Sequence, residues 1–180
     1  MRVIAGSARG VPLSAPRDQG TRPITDRVKE TLFAILGDRV ADARVVDLYA
    51  GSGAIGIEAL SRGAASVDFV EQGRQALASI RANLERTHLG DDARVHATNV
   101  ERFLVVPGRG PWDLAILDPP YELSVIVAPL RAMRPHLAPA ATVVIKHFWR
   151  NEMGGVEGIT VTRQRRFGET MLTFLSTEDT

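Results

Sequence analysis

The chain has 180 residues, of which 44% are hydrophobic and 24% charged, and a net charge of +1. That length suits one compact domain with a small appendage, and the balanced charge excludes no partner but requires any basic surface to be local. Cysteine is absent, which excludes disulfides, thiolate catalysis and cysteine-ligated zinc and agrees with a reducing cytoplasm.

The first residues place Arg2 ahead of Gly6, Ser7, Arg9 and Gly10 without the apolar core of a secretory signal. No later apolar run reaches the length of a membrane span, so a soluble cytoplasmic protein is expected. Val3 to Ala5 and Val11 to Leu13 are short apolar pieces around a Gly/Ser/Arg loop, a pattern for a small hairpin. Pro16 to Pro23 reads as irregular. Thr25 then caps a helix with Asp26 in its first turn, Val28, Leu32, Ile35 and Leu36 on one face, and Gly37 as its stop. Arg2, Arg9, Arg17, Arg22, Arg27 and Lys29 make this segment locally basic, diluted by Asp18, Asp26 and Glu30. It is either a solvated face or a strip that touches phosphate. A boundary near Asp38 to Ala43 divides an extension, 1–40, from a main domain, 41–180.

From Arg44 strands and helices alternate. Strands are expected at Val45 to Tyr49, Val67 to Val70, Val95 to Ala97, Trp112 to Leu117 and Ala141 to Ile145. Helices are expected at Ala54 to Ser61, Arg74 to Arg86 and Val125 to Leu137, the last interrupted near Pro129 and Pro135. This order predicts an α/β fold with a doubly wound, mostly parallel sheet. Ile159 to Arg165 and Thr170 to Leu175, joined near Gly168, predict an antiparallel hairpin on the sheet edge. Arg163, Arg165 and Arg166 on that hairpin suit either a charged edge that discourages strand addition or RNA contact.

The stretch around which the chain is organised is Val45 to Gly56. A β-branched run meets Asp47 and breaks at Gly51, Ser52 and Gly53 into a helical pattern, so a strand, a tight turn and a helix N-terminus present backbone N–H groups to a ligand. Glu71 closes the next strand about twenty residues past the turn, where a carboxylate grips a ribose diol. Asp47 suits the amino group of an amino-acid-bearing cofactor, sits poorly beside a pyrophosphate, and has a turn-capping alternative. Asn99, after the third strand, suits either an adenine edge or a loop cap.

A second strand ends at Asp118, Pro119, Pro120, Tyr121. Two prolines remove two N–H donors, which leaves carbonyls and the Asp118 carboxylate as acceptors for a planar amino group. The Tyr121 ring can stack on that group. If Asp118 and the Pro119 carbonyl each take one hydrogen, the nitrogen lone pair faces an incoming methyl carbon, and catalysis rests on orientation. Ligands of open α/β sheets lie beyond the carboxyl ends of the strands, so both motifs can face one cleft. His88, His96, His136 and His147 lack metal-ligand spacing, and no metal is implied.

With both motifs in view, the chain resembles a class I S-adenosylmethionine-dependent methyltransferase acting on an exocyclic amino nitrogen. The runs Arg22 to Phe33 and Asp47 to Gly63 are similar to the bacterial rRNA small subunit methyltransferase D family. The resemblance implies a Rossmann-like seven-stranded methyltransferase sheet, S-adenosyl-L-methionine as cofactor, and methylation of guanine N2 in 16S rRNA, with rRNA or the small subunit as partner and a monomeric enzyme. It places Asp47, Gly51, Ser52, Gly53, Glu71, Gln72 and Asn99 at the cofactor, and Asp118, Pro119 and Tyr121 at the guanine. It gives Arg9, Arg22, Arg27 and Lys29 to the RNA. Three positions depart from the pattern: Gln72 and Gly73 replace a polar-acidic pair, and Lys146 stands where an acidic residue is common. Enzymes acting on DNA adenine or cytosine, or on protein glutamine, use the same turn, and a catalytically inactive RNA-binding module is a further alternative.

Overall fold

The computed structural model describes residues 1–16, 24–119, 124–151 and 156–178. The strands are β1 (Arg44–Leu48), β2 (Ser66–Glu71), β3 (Ala93–Ala97), β4 (Trp112–Leu117), β5 (Leu137–Phe148), β6 (Ile159–Phe167) and β7 (Thr170–Thr177). The helices are α1 (Asp26–Leu36), α2 (Ala54–Ser61), α3 (Arg74–Thr87), α4 (Val100–Leu104) and α5 (Ser124–Met133). All seven strands join one sheet in the order β3-β2-β1-β4-β5-β7-β6. β1 to β5 pair in parallel, and β7 is antiparallel to both β5 and β6. Both faces of the parallel part are covered, which is why its strands read as near-continuous apolar runs. Val45, Leu114 and Ile116 face a core with α1, α2 and α3, while Val46, Ala115 and Leu117 face one with α4 and α5. Among the described residues no helix is long and apolar enough to cross a membrane.

The N-terminal segment does not hold a core of its own. Val3, Ala8, Leu13, Val28 and Leu32 are buried with Ile57 of α2 and Phe69 of β2. Its hairpin has a single antiparallel bridge, Arg2 to Pro12, and is fixed mainly by α2. The amides of Ile4 and Ala5 donate to the Glu58 carboxylate at 2.8 and 3.0 Å, and Ser61 Oγ accepts from the Ala8 amide and donates to the Ala5 carbonyl. Gly6 lies so close to Ser61 that a Cβ would fall 1.6 Å from its carbonyl oxygen, at a φ of +85°, so only glycine fits.

Lys29 corrects an expectation. Read as part of an RNA-facing strip, it is fully buried, and its ammonium lies 3.1 Å from Glu58 and donates to the Arg2 carbonyl. Burial lowers its pKa, against the pull of Glu58. It joins α1, the hairpin and α2, and offers nothing to a phosphate. Arg9 and Arg27 are exposed, and Arg22 lies outside the described residues.

Other differences are local. α4 was not expected: it has five residues, capped by Asn99, too few to show a period. α5 continues through Pro129 and gives way to a short 3₁₀ turn, Arg134–His136, at Pro135. β5 starts four residues earlier than its apolar run, with a register shift against β4 between Trp112 and Leu114.

Candidate active site

The carboxyl ends of β1, β2, β4 and β5 lie side by side, and the motifs read from the sequence meet there. β1 stops at Leu48, and Tyr49 turns with a positive φ of 61°, uncommon for a residue with a side chain. The Tyr49 hydroxyl reaches Glu101 at 3.4 Å, and burial, with that carboxylate, pushes its pKa up. Gly53 then takes the left-handed conformation as the N-cap of α2. A Cβ on Gly56 would meet Phe69 of β2 at 2.3 Å, so the turn packs directly on the sheet.

Asp47 is 1% exposed and its carboxylate accepts the Gly56 amide at 3.0 Å. It braces the glycine turn from beneath, the turn role that the sequence left as an alternative. Burial raises its pKa well above the carboxylate range, as do the nearby charges of Asp118 and Glu71, while the Gly56 amide opposes the shift. Glu71 closes the turn from the side: one oxygen accepts the Gly51 amide at 2.9 Å, and the other accepts the amides of Gln72 and Gly73 at 2.8 and 2.7 Å. Asn99 caps α4, its oxygen accepting the Arg102 amide at 2.8 Å.

A residue that sequence reasoning missed holds this turn to the rest of the chain. Asn83 of α3 is fully buried and donates to the carbonyls of Ser52 and Ser14, both at 2.9 Å, and accepts the Ser14 amide at 2.8 Å. The glycine turn, α3 and the N-terminal segment are therefore one hydrogen-bonded joint. Met1 also approaches Ser52 here, the hydroxyl lying 3.9 Å from its sulfur.

The second motif adjoins the first. The Asp118 amide donates to the Leu48 carbonyl at 3.3 Å, which seats Asp118 at the mouth of the glycine turn. Pro119 is buried beside it; Pro120 and Tyr121 lie outside the described residues. Burial raises the Asp118 pKa, and Lys146 pulls it back. The Lys146 ammonium, on neighbouring β5, donates to Asp118 at 2.6 Å, with side-chain exposures of 9% and 24%. Lys146 was visible in the sequence only as a departure from a pattern; the register of β4 against β5, Leu117 opposite Ile145, is what brings it to Asp118.

The histidines found in hydrogen bonds have packing roles. His96 pairs with Asp68 at 2.7 Å, His136 bonds the carbonyls of Leu104 and Arg109, and His147 bonds Thr173. Among the described residues no group of His, Asp and Glu could hold a metal ion.

A sheet in which β7 is inserted antiparallel between β5 and β6, with a glycine turn after β1 and an Asp-Pro turn after β4, defines a class I S-adenosylmethionine-dependent methyltransferase. The model of the family called conserved hypothetical protein 95 matches residues 1–176. The Bacillus subtilis protein YlbH, provisionally named an rRNA methyltransferase, is 35% identical over 94% of this chain and 95% of its own length. Ribosomal RNA small subunit methyltransferase D of Escherichia coli K12 is 40% identical over 126 residues, 70% of this chain and 63% of that protein. The solved Escherichia coli structure of yhhF, provisionally named a methyltransferase, superposes with a TM-score of 0.90 at 31% identity, covering 100% of this chain and 99% of that one. The chain belongs to the conserved hypothetical protein 95 family, that of the bacterial rRNA small subunit methyltransferases D.

Proposed function

We propose that this chain methylates the exocyclic N2 of a guanine in 16S rRNA, with S-adenosylmethionine as donor. The observation that carries the reading is the Asp118 carboxylate, seated through its own amide on the Leu48 carbonyl beside the glycine turn and held from β5 by Lys146.

The site's own chemistry fits the cofactor. Asp47, Glu71 and Asp118 gather negative charge at one sheet edge, close enough to raise the Asp47 pKa, and a cationic sulfonium compound with an ammonium group complements that charge. Glu71 and Gln72 would hold the ribose, Asn99 the adenine, and the turn at Gly51, Ser52 and Gly53 the amino-acid portion. The cofactor supplies an electrophilic methyl carbon. Asp118 accepts one N2 hydrogen and the Pro119 carbonyl the other, so the N2 lone pair points away from both acceptors, and Tyr121 stacks on the base. Bound there, the cofactor would supply the methyl group and depart as the neutral thioether, and Asp118 or water would take the proton that the methylated nitrogen gives up. A guanine within helical RNA would be flipped to reach this pocket. Exposed Arg9 and Arg27, with Arg22, would contact RNA from the 1–40 segment.

The test is to incubate the protein with methyl-labelled S-adenosylmethionine and small ribosomal subunits from cells lacking it, digest the RNA and identify the labelled nucleoside. Label in N2-methylguanosine is expected. Label in another nucleoside, or none in RNA with the cofactor still bound, overturns the guanine assignment.

A further inference from the structure

Beyond Lys146, β5 ends at Phe148, and Trp149 and Arg150 leave the sheet at the same edge as Asp118. The turn between β6 and β7 returns to this edge, since Phe148 pairs with Thr170 and the Trp149 amide donates to the Glu169 carbonyl at 3.0 Å. Two guanidiniums lie against the Trp149 ring, Arg166 at 3.8 Å and Arg150 at 5.0 Å from its centroid. Arg166 is also held through its Nε, which donates to the Gly168 carbonyl at 2.8 Å. Both arginines are exposed, and among the described residues neither pairs with a carboxylate.

This differs from an ordinary solvated edge. A charged edge strand needs only loose side chains in water. Here an aromatic ring and a backbone carbonyl hold Arg166 in place, so less side-chain entropy is lost when it grips an anion. Stacking uses the face of a guanidinium and the Nε bond uses one edge, which leaves the edge with the terminal nitrogens for the bidentate contact that phosphate favours. The chain carries a net charge of only +1, so a basic surface has to be local, and Arg150 and Arg166 supply one beside Trp149.

We infer that Trp149, Arg150 and Arg166 form a phosphate-gripping rim that holds the RNA backbone next to the target nucleotide. This rests on the RNA reading above and assigns the substrate a second contact, separate from the N-terminal arginines. Arg163 and Arg165 lie further along β6, opposite Phe174 and Leu172.

The test measures binding of a fluorescein-labelled 16S rRNA fragment and steady-state methylation of small subunits, using the full chain and the variants R166Q, R150Q/R166Q, W149L and W149F. R39Q, from the turn preceding the amino edge of β1, is the charge-matched control for R166Q. In R150Q/R166Q the rRNA Kd and the KM for subunits should rise. The slope of log K against log salt should fall by about one for each arginine removed. Saturated kcat and calorimetric S-adenosylmethionine affinity should match the parent. W149L should weaken RNA binding and W149F restore most of it. An unchanged Kd and salt slope overturns the inference, as does an equal loss in R39Q. Weakened binding to subunits with normal binding to the free fragment assigns the rim to a ribosomal protein and overturns it too. A parent that binds the fragment through these arginines but methylates no guanine upholds the rim and refutes the proposed reaction.

Discussion

Two lysines in this molecule are buried against carboxylates, and the two pairs differ in what the carboxylate has left to offer. Glu58 is fully buried and filled: it accepts from Lys29, from Arg62 at 2.8 Å, and from the amides of Ile4 and Ala5. Asp118 is partly exposed and, among the described residues, accepts from Lys146 alone. A carboxylate with every acceptor position taken can only hold structure, while one fixed by a single partner keeps an oxygen for a substrate hydrogen. Burial and charge are common to both pairs; the unused acceptor separates a joint from a site.

Lys29→Met should show the largest effect. It takes one cation from a buried carboxylate that keeps Arg62 and two amides, a loss of about 3 kcal/mol in chemical denaturation, and a loss under about 1 kcal/mol would show that the Glu58 joint does not depend on its lysine. Asp118→Ala should act chiefly on activity, lowering turnover by at least about 100-fold while cofactor binding stays near the parent's. Substantial turnover in that variant breaks the assignment of Asp118.

Lys146→Met sharpens the comparison through pH. In the proposed reaction Asp118 acts as the carboxylate; burial raises its pKa, Lys146 opposes this, and Asp47 and Glu71 are the acidic groups beyond it on β1 and β2. Without the ammonium, protonation persists to higher pH, so the acid limb of kcat/KM should move upward and activity should recover as pH rises. An unmoved limb would mean that Lys146 only fills space.

The smallest effect concerns Asp47. Burial raises its pKa in the folded chain, so the folded state binds the proton more tightly than the unfolded one. The stability this group contributes is greatest below the unfolded carboxyl pKa and falls as pH rises through the raised value. Asp47→Asn should flatten that dependence in denaturation measured across pH and leave the protein somewhat more stable at neutral pH. An unchanged slope would place its origin in another group.

Local signals made much of the fold legible. α2 and β4 run over the residues expected, because Gly53 and the Asp-Pro turn punctuate strong apolar patterns. Thr25 and Gly37 bound α1 in the same way. Tertiary facts were not legible. Lys29 and Glu58 lie 29 positions apart and Lys146 and Asp118 28, so charge in the sequence could not distinguish a surface lysine from a buried partner. The candidate site was legible as residue types but not as geometry. Asp47 and Asn99 were readable as cofactor groups or caps, and the structure shows both as caps of backbone amides. Asn83 gave no signal, since an asparagine inside an amphipathic helix looks like any polar face until Ser14 and Ser52 fold onto it.

The strand order also dictates how the molecule can be made. β7 follows β6 in the chain yet lies between β6 and β5. As the polypeptide is synthesised, β6 emerges with no neighbour to pair with, and the flank of β5 that carries Lys146 stays open until Thr170–Thr177 arrives. The glycine-turn half can settle early, but the half that carries Asp118 and Lys146 closes only with its last strand. A nascent chain halted before that strand would present an unpaired edge to its neighbours, a template for aggregation.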